Sequence, residues 1–339
     1  MTQPPASRPR STFSATGVVT SAVGLALLVW VVMRVGVAEI AIELRQVGWW
    51  LVVIIAFGGF RFLLRATAWR LCLDPAHRLG LKDAFAAVIC GDAIGNLTPF
   101  GPLVGEPAKA AFVRGRIALA PALTALAIEN VLYTLSAAAM IAAGMVALLL
   151  RFQLPPDVRG VGEIAVAGTF ILFIGALWLL WRQPALISRA LALAPPLRKH
   201  VDRIKQMEDE IYTFASRHRR ALPALAVVEA GFHVLGVAEM YLTLWLLSVT
   251  GPTVLYAFLF ETANRLITVV FKVVPLRLGV DEVGTAWFAT IVGLPYNTGL
   301  AIAIIRKVRM VFWAASGGVL LVRQGLSGRT TPVQMPSPD

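Results

Sequence analysis

Apolar, nearly uncharged runs recur along this chain from Gly17 to Val322. A helix that crosses a hydrocarbon core of roughly 30 Å needs about 20 such residues. The composition agrees: 58% of the 339 residues are hydrophobic and 15% are charged, outside the usual shares of soluble domains. Mean hydropathy is +0.74. These features predict an all-α polytopic membrane protein with about six full spans.

The expected spans are Gly17 to Val35, Trp49 to Arg70, Leu119 to Leu150, Glu163 to Trp181, Ala221 to Val249 and Gly299 to Val322. Their direction follows from basic residues, which accumulate on the cytoplasmic side. Arg8 and Arg10 precede the first span, Arg70, Arg78 and Lys82 follow the second, and a dense basic run from Arg182 to Arg220 follows the fourth. Both termini are therefore expected in the cytoplasm. The first run is expected to be retained, because it is long enough to span and no small-residue cleavage site follows it. Apolar residues among charges from Val201 to Phe214 fit an amphipathic helix on the inner surface or a solvated linker helix. Residues 324–339 read as a disordered cytoplasmic tail.

Two stretches break this pattern. "NLTPFGPLVGEP" (96–107) lies between apolar arms too short to span at about 1.5 Å per residue, and basic residues flank both arms. A hairpin is expected that enters from the cytoplasm and turns at Pro99 to Gly105, which requires burial in protein or a wet cavity. A second pair of arms, Thr253 to Val274 and Asp281 to Leu294, is joined by Pro275 to Gly279 and reads either as a hairpin or as two short spans. "PFGPLVGEP" aligns with "PLRLGVDEV", and Glu106 and Glu282 each lie seven residues after the proline. Each break is flanked by spans. Residues 45–150 and 221–323 are therefore expected to be inverted repeats joined by 151–220, the arrangement that brings broken helices to the bilayer midplane around a substrate site.

The chemistry is expected at those breaks. Pro107 after Glu106 fits the first turn of a helix whose N–H groups face mid-depth, and Asp281 fits an N-cap. Glu106 and Glu282 either complement their own helix dipoles or serve a function, since a carboxylate in hydrocarbon costs roughly 3 kcal/mol. Glu129 follows Glu106 by 23 residues and Arg306 follows Glu282 by 24. Arg306 either pairs with Glu129 or Glu106, or joins Arg309 and Arg265 or Lys109 in binding a phosphate. Arg61, Arg65 and Arg70 either snorkel to headgroups or bind substrate. Glu229 and His233, four residues apart, form a satisfied pair or a proton relay.

Other classes find little support. Net charge is +12, yet no basic-aromatic or helix-turn-helix pattern points to nucleic acid, so the charge is assigned to topology and anionic lipid. Cys72, Cys90 and four scattered histidines carry no zinc or disulfide spacing. No cofactor and no P-loop, G-x-G-x-x-G, H-E-x-x-H or G-x-S-x-G motif is read, so no enzyme is expected.

"GNLTPFGPLVGEPAKAAFVRGR" (95–116), "RFLLRATAWRLCL" (61–73) and P-x-x-x-G-V-x-E (275–282) resemble the flippase-like transmembrane domain of lysylphosphatidylglycerol synthases, over about residues 15 to 325. Leu276, Arg277 and Leu278 replace a stretch that is richer in glycine in that family. The resemblance implies translocation of lipid between leaflets, with Asn96, Pro99, Glu106 and Glu282 as site residues by matching position. Charge and depth add Lys109, Glu129, Arg265, Arg306 and Arg309. The soluble aminoacyl-transfer domain has no counterpart in these residues, so synthesis of lysyl-lipid is not expected. The expected function is a flippase for an anionic or phosphate-bearing lipid; the competing class is a membrane-embedded accessory subunit or enzyme of lipid, hopanoid or glycolipid biosynthesis. Expected partners are anionic membrane lipids, with a second copy or a lipid-biosynthesis enzyme as further candidates.

Overall fold

The computed structural model describes residues 47–326 except 99–100, 155, 184, 186–187, 190–200, 248, 250, 252 and 273. The expected first span, Pro99 and most of the C-terminal tail lie outside the described residues. Within them the regular structure is helical: α1 (Trp50–Leu71), α2 (Leu81–Leu97), α3 (Gly101–Phe112), α4 (Leu119–Arg151), α5 (Pro156–Arg182), α6 (Val201–Arg217), α7 (Leu222–Leu246), α8 (Val254–Val270), α9 (Val280–Ile291) and α10 (Tyr296–Leu326). A short 3-10 turn, Pro275–Arg277, joins α8 to α9.

Three of these helices, α1, α4 and α7, are long and apolar enough to cross a membrane. The long α10 interrupts its apolar run with Arg306, Lys307 and Arg309. Paired helices α2 and α8 have 17 residues each, about 25 Å of helix, and α3 and α9 have 12 each. The chain is a helical membrane protein.

Local sequence explains several boundaries. Thr253 Oγ1 accepts the Tyr256 N–H at 3.3 Å and caps α8. Gly279, at φ 81°, occupies a left-handed position before α9 that a side chain would strain. Its N–H donates to Glu282 Oε2 at 2.8 Å. Asp281 is therefore not the N-cap; it sits inside the first turn and pairs with α10. The first hairpin also departs from expectation: α3 begins at Gly101, so its turn is shorter than Pro99 to Gly105 and Pro107 lies inside the helix. The missing N–H of Pro107 leaves the Leu103 carbonyl without its helical donor, and both residues are exposed.

The arms of that hairpin meet backbone to backbone. Gly91 and Gly95 of α2 face Gly101 and Gly105 of α3, and a Cβ built on Gly105 would lie 2.8 Å from the Gly91 carbonyl oxygen. Small residues are what let helices approach this closely in a membrane. Gly105→Ala is therefore expected to spread the hairpin and destabilise the protein by roughly 1–3 kcal/mol. Thermal unfolding in detergent checks this, and an unchanged midpoint would contradict the close packing.

Two apolar clusters bracket a polar middle. One gathers Trp69, Ala84, Val113, Leu126, Phe214 and Leu225; the other gathers Ile141, Met145, Leu244, Phe260, Phe288 and Ile302. Along α4 the sequence passes from Leu126 in the first cluster through Glu129, Asn130 and Tyr133 to Ile141 in the second. Along α7 it passes from Leu225 through Glu229 and Glu239 to Leu244. The amphipathic α6 packs on α4 and buries Phe214 in the first cluster, which excludes a fully solvated linker.

Candidate functional site

The polar middle opens into a cavity of about 300 Å³. Eight basic side chains line it against three acidic ones, Asp92, Glu106 and Asp281. Buried charges are tolerated only when paired and hydrogen-bonded, so the partners define the site.

On the α10 wall, Arg306 Nη2 donates to Asp281 Oδ1 at 2.8 Å and to Thr285 Oγ1 at 2.9 Å. Lys307 donates to the Leu276 carbonyl at 2.6 Å and lies 3.3 Å from Glu282 Oε1. Arg309 Nη1 donates to Glu239 Oε2 at 2.8 Å. Glu239 also lies 3.5 Å from Arg61, which donates to Glu261 at 3.2 Å. Arg265 donates to Glu261 at 2.6 Å and to the Tyr133 hydroxyl at 2.8 Å. A continuous ladder, Arg309–Glu239–Arg61–Glu261–Arg265–Tyr133, thus crosses α10, α7, α1, α8 and α4.

On the opposite wall, Lys109 donates to Glu106 Oε1 at 2.6 Å, and the Asn96 amide donates to Asp92 at 2.7 Å. Arg65 donates to Glu129 at 2.9 Å. Arg306 therefore pairs with neither Glu129 nor Glu106, because each of those acids has a cation nearer in its own half of the sequence. Glu229 and His233 do not touch directly: Ser136 stands between them, donating to Glu229 at 3.1 Å and lying 3.1 Å from His233 Nε2.

Of the residues singled out in the sequence, Asn96, Glu106, Lys109, Arg265, Arg306 and Arg309 line the cavity together. Glu129 stands behind the wall as the counter-ion of Arg65, and Glu282 lies outside the lining, holding Gly279 and Lys307. Pro99 is outside the described residues. Arg61 and Arg65 point inward rather than snorkelling, whereas Arg70 donates to the Leu79 carbonyl at 2.8 Å. Sequence reasoning missed Asp281 as a buried counter-ion and passed over Tyr133 and Phe232. The i,i+4 spacing of Glu261 and Arg265 signalled one rung of the ladder, and no spacing within a helix marked Asp281, Tyr133 or Phe232.

The hairpin ends meet at this site. Leu97 of the first packs with Leu276 of the second, beside Met310 and Val311. Leu276 and Arg277 both hold left-handed backbone, φ 49° and 50°, which costs about 1–2 kcal/mol for each L-residue. Lys307 and the apolar cluster hold Leu276 there.

Some polar groups stay unsatisfied. Arg306 Nη1 and Nε, Arg265 Nε and Glu106 Oε2 are buried without a hydrogen-bond partner. In a site with this excess of lining cations, free guanidinium N–H groups suit phosphate or carboxylate oxygens.

Comparison with curated proteins and with solved structures yields no significant match. The family described as the lysylphosphatidylglycerol synthase TM region does match, over residues 16–317, nearly the whole chain. Helical build, buried mid-helix charges and that match agree, and the chain belongs to the lysylphosphatidylglycerol synthase transmembrane-region family.

Proposed function

We propose that this protein moves an anionic, phosphate-bearing lipid between the leaflets of a bacterial cytoplasmic membrane. The observation that carries the reading is the cavity, lined by eight basic side chains against three acidic ones, with Arg306 buried and two of its nitrogens unpartnered. The headgroup would exchange hydration for these donors while its chains stay in the bilayer. Family membership supports a lipid-related role. The soluble catalytic motifs sought in the sequence are absent, which favours movement over synthesis.

Helix order supports the inverted repeat. Helices α1 to α4 have 22, 17, 12 and 33 residues, and α7 to α10 have 25, 17, 12 and 31. Packing is twinned as well: α1 meets its counterpart α7, while α2 against α10 matches α8 against α4. Opposite insertion then follows from the basic segments by the positive-inside rule, with both hairpins re-entrant and both termini cytoplasmic. Anionic lipids are the partners of this reading, and a second copy or a lipid-biosynthesis enzyme can join it without supplying the cavity.

Translocation of a fluorescent phospholipid in proteoliposomes tests the proposal. Glu106→Gln and Arg306→Ala should both slow it, and unchanged rates in both would overturn it. Lipid mass spectrometry of a deletion strain separates the competing class: altered leaflet distribution with unchanged lipid species favours a flippase, altered species an enzyme or its subunit.

A further inference from the structure

We infer that Phe232 is the platform of a phosphate subsite built by Arg61, Arg65 and Arg265, an inference that rests on the anionic-lipid reading of the cavity. The ring lies on α7, 8% exposed, and it and all three arginines line the cavity. The guanidinium carbons of Arg61, Arg265 and Arg65 lie 4.5, 4.8 and 6.0 Å from its centroid. Arg65 also stacks over Tyr133 at 4.1 Å, and the Tyr133 and Phe232 rings meet edge to face at 5.5 Å.

Three like charges around one ring repel one another; Glu239 and Glu261 answer Arg61, and Glu129 and Glu229 answer Arg65, whereas among the described residues Arg265 has Glu261 alone. Arg61 and Arg265 share a single carboxylate oxygen, Glu261 Oε1, at 3.2 and 2.6 Å. Arg265 Nε is buried without a partner, in a residue 6% exposed. A guanidinium that rests its weakly hydrated face on an aromatic ring keeps its N–H edge for an anion. A phosphate has enough oxygens to accept from several such edges at once. The ring thereby orients cations that come from α1 and α8, at the crossing of the two halves, and acts as a positioning residue.

Binding to the purified full-length protein in detergent, by calorimetry, tests this. The probes are inorganic phosphate, dihexanoylphosphatidylglycerol and uncharged dihexanoylglycerol. The unchanged protein should prefer the phosphate-bearing probes, and the ratio between lipid and inorganic phosphate identifies the source of the anion. Phe232→Leu should weaken phosphate-dependent binding about tenfold and leave dihexanoylglycerol unaffected, while Phe232→Tyr restores it. Arg265→Lys, which keeps the charge and loses the planar stack, should weaken it too and covers the case in which the leucine variant does not fold. Equal binding of all probes by the unchanged protein would overturn the anionic reading and this subsite with it. Anion preference that survives both Phe232→Leu and Arg265→Lys would overturn the subsite alone.

Discussion

Asp281→Asn is expected to destabilise the protein by about 3–5 kcal/mol, the usual cost of removing one partner from a buried ion pair. Asparagine keeps the shape and removes the charge. Asp281 is 1% exposed and lies 2.8 Å from Arg306, 3.5 Å from Lys307 and 3.9 Å from Arg277. Three cations would be left around a neutral amide, with Glu282 the remaining acid beside Lys307. Thermal unfolding in detergent should show a clear loss. Adding Arg306→Met should recover part of it, because the double variant removes the uncompensated charge as well. A midpoint equal to that of the unchanged protein would show that Asp281 is not the buried counter-ion of these cations.

Arg306→Ala is expected to slow lipid translocation by at least about thirtyfold, since truncating a buried hydrogen-bonded charge costs roughly 2–5 kcal/mol and each 1.4 kcal/mol is tenfold. Its effect on folding should be smaller than that of Asp281→Asn, because Lys307 and Arg277 remain to neutralise Asp281. Arg306→Lys keeps a point charge and loses the unpartnered Nη1 and Nε donors, so its rate should fall between those of the alanine variant and the unchanged protein. The proteoliposome assay reads both variants. If Arg306→Lys and Arg306→Ala, at equal stability, both translocate lipid as fast as the unchanged protein, Arg306 is not part of the site.

Much of the architecture was legible because the bilayer leaves few choices. The apolar runs from Trp49, Leu119 and Ala221 became α1, α4 and α7 within a few residues of their expected ends. Arg265, Arg306 and Arg309 were read as site cations because charges in apolar helices need a purpose, and they line the cavity. The breaks were harder. Pro107 reads locally as a first-turn proline, yet the packing of Gly101 and Gly105 against α2 extends the helix several residues earlier than the rule for proline predicts. Asp281 reads locally as a cap, yet Arg306, 25 positions away, competes for it.

By itself, the sequence determined that the chain is helical and membrane-borne, that charges interrupt its apolar helices, and that two breaks containing Gly and Pro divide its apolar runs; hydropathy and charge counts are local quantities and need no partner. Only the tertiary structure decided which charge answers which. The pairing of Arg61 with Glu261 across 200 positions and the gathering of three arginines around Phe232 depend on which helix faces lie opposite. Helix packing sets those faces, and no spacing within a single helix records them.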